Sequence, residues 1–259
     1  MNITKEQLTI VYYTCNHLEK TNPYFVTNTK RQLLKAIDDF PLIIVSHFPM
    51  EKDDLLMQRE NTTNIVVGDL GRHHLNIYRQ IMIGCQNTKT KWVAMAEDDI
   101  LYSWEHFHTY LPPHDKFAYD MNKVSLFTWT KPPVFSFRTK RRVVNHLIAK
   151  TKMLREAMEE RFKRVDELKS QGIPEETIIS KFGDPGRYES LLGVTVRASE
   201  EFYSTSPGIV FTHPDAFGYL NHGKKKRLGD LRILELYSWG KASDIIKLWR
   251  EDWETYKHE

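Results

Sequence analysis

Cysteine is nearly absent: Cys15 and Cys85 are the only two in 259 residues. That argues against a disulfide-stapled scaffold and against a zinc site built from cysteine alone. No run approaches the ~20 apolar residues that a membrane-spanning helix needs. The N-terminal stretch "MNITKEQLTIVYY" enters a strand-like pattern without the apolar core of a signal peptide. Together these absences lead to the expectation of a reducing, cytoplasmic setting. Charge of one sign is also lacking, since 37 Lys and Arg against 34 Asp and Glu leave a net charge of only +3. The molecule as a whole is therefore no polycation, and composition alone does not make it a nucleic-acid binder. There is no internal repeat, no low-complexity segment, no obvious linker and no Gly-rich, Lys-bearing phosphate loop near the N-terminus. The missing phosphate loop weighs against a nucleotidyltransferase.

What is present is ordinary for one globular unit. The chain is 41% hydrophobic and 27% charged, with a generous 12% of aromatics. Its length suits a single α/β domain over residues 1–259. "LTIVYYTC" (Leu8–Cys15), "PLIIVSHF" (Pro41–Phe48) and "TNIVVGDL" (Thr63–Leu70) are β-branched and apolar runs that read as strands. Between them, "VTNTKRQLLKAI" (Val26–Ile37) and "HLNIYRQIMIGCQNT" (His74–Thr88) carry apolar residues at helical spacing. Such alternation predicts a mostly parallel, Rossmann-like sheet with helices on both faces.

After Tyr102 the texture changes. "HFHTYLPPHDKFAYD" and "VSLFTWTKPPVFSF" read as short strands broken by prolines, a small antiparallel addition. Residues 142–171 form a long helix-favouring run in the C-terminal half, with Leu147, Ile148, Met153, Leu154, Met158, Phe162 and Val165 as its apolar stripe. "LLGVTVR" and "GIVFTH" (Gly208–His213) read as strands, and "SDIIKLWREDWETY" as a terminal amphipathic helix.

The chemistry concentrates in "KWVAMAEDDILY" (Lys91–Tyr102), a buried-strand pattern ending in Glu97, Asp98 and Asp99. A single carboxylate suffices to cap a helix, and an acidic cap is the plain alternative. Three crowded acids raise one another's pKa unless a cation relieves them. A hard divalent cation, Mg²⁺ or Mn²⁺, suits such oxygen ligands. In open α/β sheets ligands bind beyond the carboxyl ends of the strands. Four polar clusters fall there, Thr14–Asn16, Ser46–His47, Gly68–Asp69 and Glu97–Asp99, so one crevice can collect them. Basic residues gather in "TKRR" (Thr139–Arg142) and "GKKKR" (Gly223–Arg227). The first reads as solvated surface. The second is a candidate grip for a phosphate-bearing ligand.

The stretch Asn76–Phe107, containing E-x-D-x-L-Y-x-x-x-H-F, resembles the signature of GT-A-fold, family-2-like glycosyltransferases that include the DNA-base glycosyltransferases of the base J type. "NIVVGDLG" (Asn64–Gly71), "GRYESLLGVTVR" (Gly186–Arg197) and "VFTHPDAFGYLNHGKKKRLGD" (Val210–Asp230) are also family-like. The resemblance implies a GT-A-like single domain with a nucleotide-sugar-binding half over residues 1–110 and an acceptor-binding half over residues 111–259. It implies that Glu97 and Asp99 take the first and last places of a D-x-D motif, facing the ribose and a Mn²⁺ or Mg²⁺ ion that bridges the diphosphate. His213 or His222 would complete the metal shell. Tyr12, Thr14 and Cys15 would line the base pocket, with Arg79 and Gln80 near the same crevice and Asp69 at the nucleoside. Lys224, Lys225, Lys226 and Arg227 would hold a diphosphate or an acceptor phosphate. Asp98 and Asp215 are the candidates for a general base; Pro214-Asp215 also suits a tight turn.

The activity so implied is transfer of a sugar from a nucleoside-diphosphate sugar to a hydroxyl. A 5-hydroxymethyl pyrimidine in DNA is the acceptor the family suggests, flipped out against an aromatic such as Trp104, Trp129 or Phe135. A glycan or lipid-linked acceptor is the alternative. A non-catalytic module holding a nucleotide sugar or nucleic acid is the reading from another class, and the intact acids weigh against it.

Overall fold

A computed structural model describes residues 3–113, 115–137, 142–216, 220–221, 224–225, 228–229 and 231–255. The strands are β1 (Leu8–Thr14), β2 (Leu42–Ser46), β3 (Thr62–Val66), β4 (Trp92–Glu97), β5 (Ile100–Leu101), β6 (Phe117–Asp120), β7 (Lys123–Phe127), β8 (Phe135–Phe137), β9 (Leu147–Lys150), β10 (Ser199–Phe202) and β11 (Gly208–Thr212). Five two-residue strands follow: β12 (Leu220–Asn221), β13 (Lys224–Lys225), β14 (Arg232–Ile233), β15 (Glu235–Leu236) and β16 (Gly240–Lys241). The helices are α1 (His17–Thr21), α2 (Pro23–Ile37), α3 (His74–Gln86), α4 (Trp104–His108), α5 (Thr151–Ser170), α6 (Glu175–Phe182), α7 (Glu189–Leu192) and α8 (Ala242–Ile245).

Seven strands form the main sheet in the order β10-β6-β9-β4-β1-β2-β3. All its pairs are parallel except the two that β9 makes with β4 and β6. The predicted α/β class and mostly parallel sheet are therefore observed. β1 is buried on both sides, as central parallel strands are. Val11 and Tyr13 face a core with α3 and α5, and Ile10 and Tyr12 face one with α2 and α4. Helix α3 lies close on β1: a Cβ on Gly84 would stand 2.4 Å from Val11 Cγ1, so only glycine fits there. A second sheet, β14-β8-β7-β11-β5, packs against α2 and the C-terminal segment through Phe25, Leu126, Phe211 and Trp253. It is antiparallel except for β7 with β11.

Four local expectations give way to tertiary context. The helix expected over residues 142–171 spans only Thr151–Ser170, because Leu147–Lys150 is drawn into the gap between β4 and β6 as β9. The expected strand "LLGVTVR" is instead the end of α7, closed by Gly193 at φ 78°. The first part of "HFHTYLPPHDKFAYD" is helix α4. The terminal segment makes only a short α8 and one 3₁₀ turn, Ile246–Leu248, rather than a long helix.

Candidate active site

The polypeptide crosses from the first sheet to the second at the acidic triplet. β4 ends at Glu97 in the main sheet, and β5 begins at Ile100 as the edge of the other. Asp98 and Asp99 occupy the step. β5 pairs antiparallel with β11, and the Phe211 amide donates to the Asp99 carbonyl at 2.9 Å. His213, just past β11, is thereby fixed beside Asp99, with Nε2 3.5 Å from Asp99 Oδ2. The His213 ring is buried and held between Trp249, stacked at 4.9 Å, and Phe25.

A cleft of about 240 Å³ opens over this junction, lined by all three acids, Tyr13, Thr14, Cys15, His47 and Gln80, and by Asn145, His213 and Asp215. Its floor is the carboxyl edge of the main sheet. Asn16, at φ 56°, turns the chain out of β1, and its Oδ1 accepts from the Phe48 amide to tie the ends of β1 and β2 together. Gln80 reaches from α3 and donates to the Thr14 and Val45 carbonyls at 2.8 Å each, bracing the same edge.

Each acid has a different environment. Glu97 accepts a 2.6 Å hydrogen bond from Asn145 Nδ2. Burial, then the neighbouring Asp99 charge, pushes its carboxyl up to about 8. Asp98 accepts from the Thr14 hydroxyl at 2.7 Å, and burial with the charges of Glu19 and Asp99 raises it well above the usual carboxylate range. Asp99 keeps one buried oxygen, Oδ1, with no hydrogen-bond partner, and neither ring nitrogen of His213 has one. Buried polar atoms are almost always paired. Two such groups facing one another are therefore an unfilled demand.

No three His, Cys, Asp or Glu side chains form a preformed metal cluster among the described residues. The donor pair Asp99 and His213 nevertheless fits a divalent cation: His213 Nε2 stands 3.5 Å from Asp99 Oδ2, both ring nitrogens lack a hydrogen-bond partner, and the other carboxylate oxygen, Oδ1, is buried without one. The remaining coordination would fall to ligand and water.

The other expected residues are distributed unevenly. Thr14 and Cys15 line the cleft, and burial raises the Cys15 thiol, so it is a lining group rather than a nucleophile. Tyr12 does not line it; β1 alternation turns Tyr12 into the α2-side core and presents Tyr13 instead. Asp69 is exposed outside the cleft, 3.7 Å from the lining His47. Arg79 also lies outside, its guanidinium 5.3 Å from the Phe162 ring of α5, while its neighbour Gln80 points in. Asp215 lines the rim, 3.3 Å from His17 Nε2 and 3.7 Å from Arg72 Nη1. For Lys224 and Lys225 only the backbone, in β13, is described; His222, Lys226 and Arg227 lie outside the described residues. Asn145, Arg72 and His17 were not foreseen. An isolated Asn before an apolar run carries no sequence signal of its partner, and only the placement of β9 beside β4 brings it to Glu97.

No protein-family model matches the chain, and no curated protein matches it. Among solved structures, the apo-form glycosyltransferase GlyE of Streptococcus pneumoniae TIGR4 is similar over 75% of this chain and 45% of its own, at 9% identity and a TM-score of 0.42. The galactosyltransferase LgtC, solved with donor and acceptor sugar analogs, is similar over 62% of this chain and 65% of its own, at 11% identity and 0.39. A glycosyltransferase involved in glycosylation of the major capsid of PBCV-1 covers 79% and 92%, at 10% identity and 0.42. This chain thus spans less than half of GlyE and just under two thirds of LgtC. At such scores the likeness carries no functional weight, and the chemistry must come from the cleft itself.

Proposed function

We propose that the cleft binds a nucleoside-diphosphate sugar together with Mn²⁺ or Mg²⁺ and transfers the sugar to an acceptor hydroxyl. The observation that carries this is the pair Asp99 and His213, with His213 Nε2 3.5 Å from Asp99 Oδ2 and with Asp99 Oδ1 and both ring nitrogens lacking hydrogen-bond partners, inside an acidic cleft at the carboxyl edge of a parallel sheet. Asp99 and His213 would hold the cation, which when bound supplies charge neutralisation for the leaving diphosphate. Glu97 would sit at the ribose or at the cation, kept in place by Asn145. Thr14, Cys15 and Tyr13 would form the wall around the base. Arg72, on the rim beside Asp215, would add positive charge where phosphates lie.

In the transfer, the acceptor oxygen bonds to the anomeric carbon while the bond from that carbon to the diphosphate oxygen breaks. The electron pair leaves with the nucleoside diphosphate, and the hydroxyl proton passes to a general base. Asp215 suits that role better than Asp98. It stands at the open rim, whereas Asp98 is turned inward and accepts a hydrogen bond from the Thr14 hydroxyl. Donor binding falls chiefly to residues 1–110 and acceptor binding to residues 111–259. A hydroxymethylated pyrimidine in DNA, the acceptor of the base J-type enzymes that the sequence resembles, belongs in the test beside saccharide and lipid-linked acceptors.

The test is turnover with a panel of labelled sugar nucleotides and Mn²⁺, offered hydroxymethylcytosine DNA, hydroxymethyluracil DNA, plain DNA and saccharides. Asp99→Asn is expected to lower donor hydrolysis and transfer by about 10²-fold or more, the scale of losing a principal electrostatic stabiliser, with the fold retained by circular dichroism. Wild-type turnover in that variant would refute the cation assignment.

A further inference from the structure

A second recess, of about 400 Å³, adjoins the cleft, and Asp215 lines both. It forms where the start of α2 meets the C-terminal turn, tied together by Asn22 Nδ2 donating to the Trp249 carbonyl at 3.0 Å and Asn28 Nδ2 donating to the Leu248 carbonyl at 3.2 Å. Aromatic residues furnish its walls: Tyr24, 42% exposed, Trp129 and Trp249. Among the described residues its charged groups are acidic in balance. Asp215, Glu251 and Asp252 stand against Arg250, which is bound in a two-point pair with Asp252 at 2.9 and 3.1 Å.

We infer that this recess is a saccharide-binding subsite that presents an acceptor hydroxyl to Asp215. The assignment rests on the transferase reading of the cleft. Sugars offer an apolar C–H face and a rim of hydroxyls, which match aromatic walls beside carboxylates that accept hydrogen bonds. A phosphodiester chain would meet net negative charge here, and its binding depends on neutralising Lys and Arg. The recess therefore favours a neutral glycan over DNA. Trp249 links the two sites physically, since it lines the recess and stacks on His213.

The experiment is saturation-transfer NMR on the intact chain with lactose, cellobiose and chitobiose as probes, and with a short hydroxymethylated DNA duplex as competitor. At least one disaccharide is expected to bind. Tyr24→Ala and Trp129→Ala are each expected to weaken it tenfold or more, and Glu251→Gln severalfold; Tyr203→Ala, exposed outside both recesses, is expected to leave it unchanged. Melting curves establish that each variant is folded. The inference is overturned if no disaccharide binds, if Tyr24→Ala and Trp129→Ala bind as tightly as wild type, or if the duplex displaces the sugar. Sugar-nucleotide and Mn²⁺ binding to the wild type is measured in parallel by calorimetry. Its absence would defeat the transferase reading while leaving the saccharide subsite standing, and the reverse pattern would defeat the subsite alone.

Discussion

Two of the clusters of ionisable side chains in the interior of this protein are treated in opposite ways. Beneath α5, Arg161 is fully buried and pairs with Glu189 at 2.7 Å. The same guanidinium donates to the Phe182 and Gly183 carbonyls, and Glu189 also accepts from the Gly186 amide. That pair closes the loop between α6 and α7 and is nearly saturated, with only Arg161 Nε left over. At the junction of the sheets, three acids crowd together with no Lys or Arg paired to any of them among the described residues. Asp99 and His213 have hydrogen-bonding capacity to spare. The first arrangement uses buried charge to fix structure. The second leaves acids without a cationic partner at the floor of a cleft, an arrangement of the kind that functional sites bear.

The largest effect that could break this contrast is on the structural pair. Arg161→Met should leave Glu189 as a buried, unpaired charge and cost about 3–5 kcal/mol, read by urea denaturation. Replacing Glu189 as well should recover much of that. A loss under ~1 kcal/mol would mean that the pair is not structural.

The next effect is on the acids and depends on pH. A carboxyl raised in the folded state contributes stability that is full below its unfolded value near 4.5 and is lost as pH rises through about 8, where Glu97 titrates when folded. Metal-free protein should therefore lose stability on the order of 1–3 kcal/mol between pH 5 and pH 9. Millimolar Mn²⁺ should flatten that slope, since a cation favours the ionised acids, and Glu97→Gln should reduce it. Melting temperature against pH, with and without the metal, is the measurement. An identical slope in both conditions would place the cation elsewhere.

The smallest effect separates the members of the triplet. Thr14→Val removes the hydroxyl that holds Asp98 and should cost about 1 kcal/mol, with severalfold lower turnover. A hundredfold drop would instead make Asp98 part of the chemistry.

Much of the N-terminal half was visible in the one-dimensional chain. β1, β2, β3, α3 and β4 lie within about four residues of where β-branched runs and helical spacing put them. The acids fell at the end of β4 as their position predicted. Side-chain direction was less visible. Arg79 and Gln80 are neighbours on α3, yet about 100° of helical turn sends one to α5 and the other to the sheet edge. Tyr12 and Tyr13 part company in the same way by strand alternation. The β9 segment misled because Leu147 and Ile148 also satisfy a helical stripe; its partners β4 and β6, distant in sequence, made it a strand.

By itself the sequence determined which stretches are strands and helices on the N-terminal side, and that three acids close a buried strand, because both follow from local periodicity and composition. Only the tertiary structure decided what those acids face. The antiparallel pairing of β5 with β11 sets His213 against Asp99, and β9 carries Asn145 to Glu97. Asp215 and Trp249 reach the same rim by the folding of the second sheet and the C-terminal turn onto α2. Contacts between residues so far apart along the chain are set by which sheets pack together, and no local pattern records that.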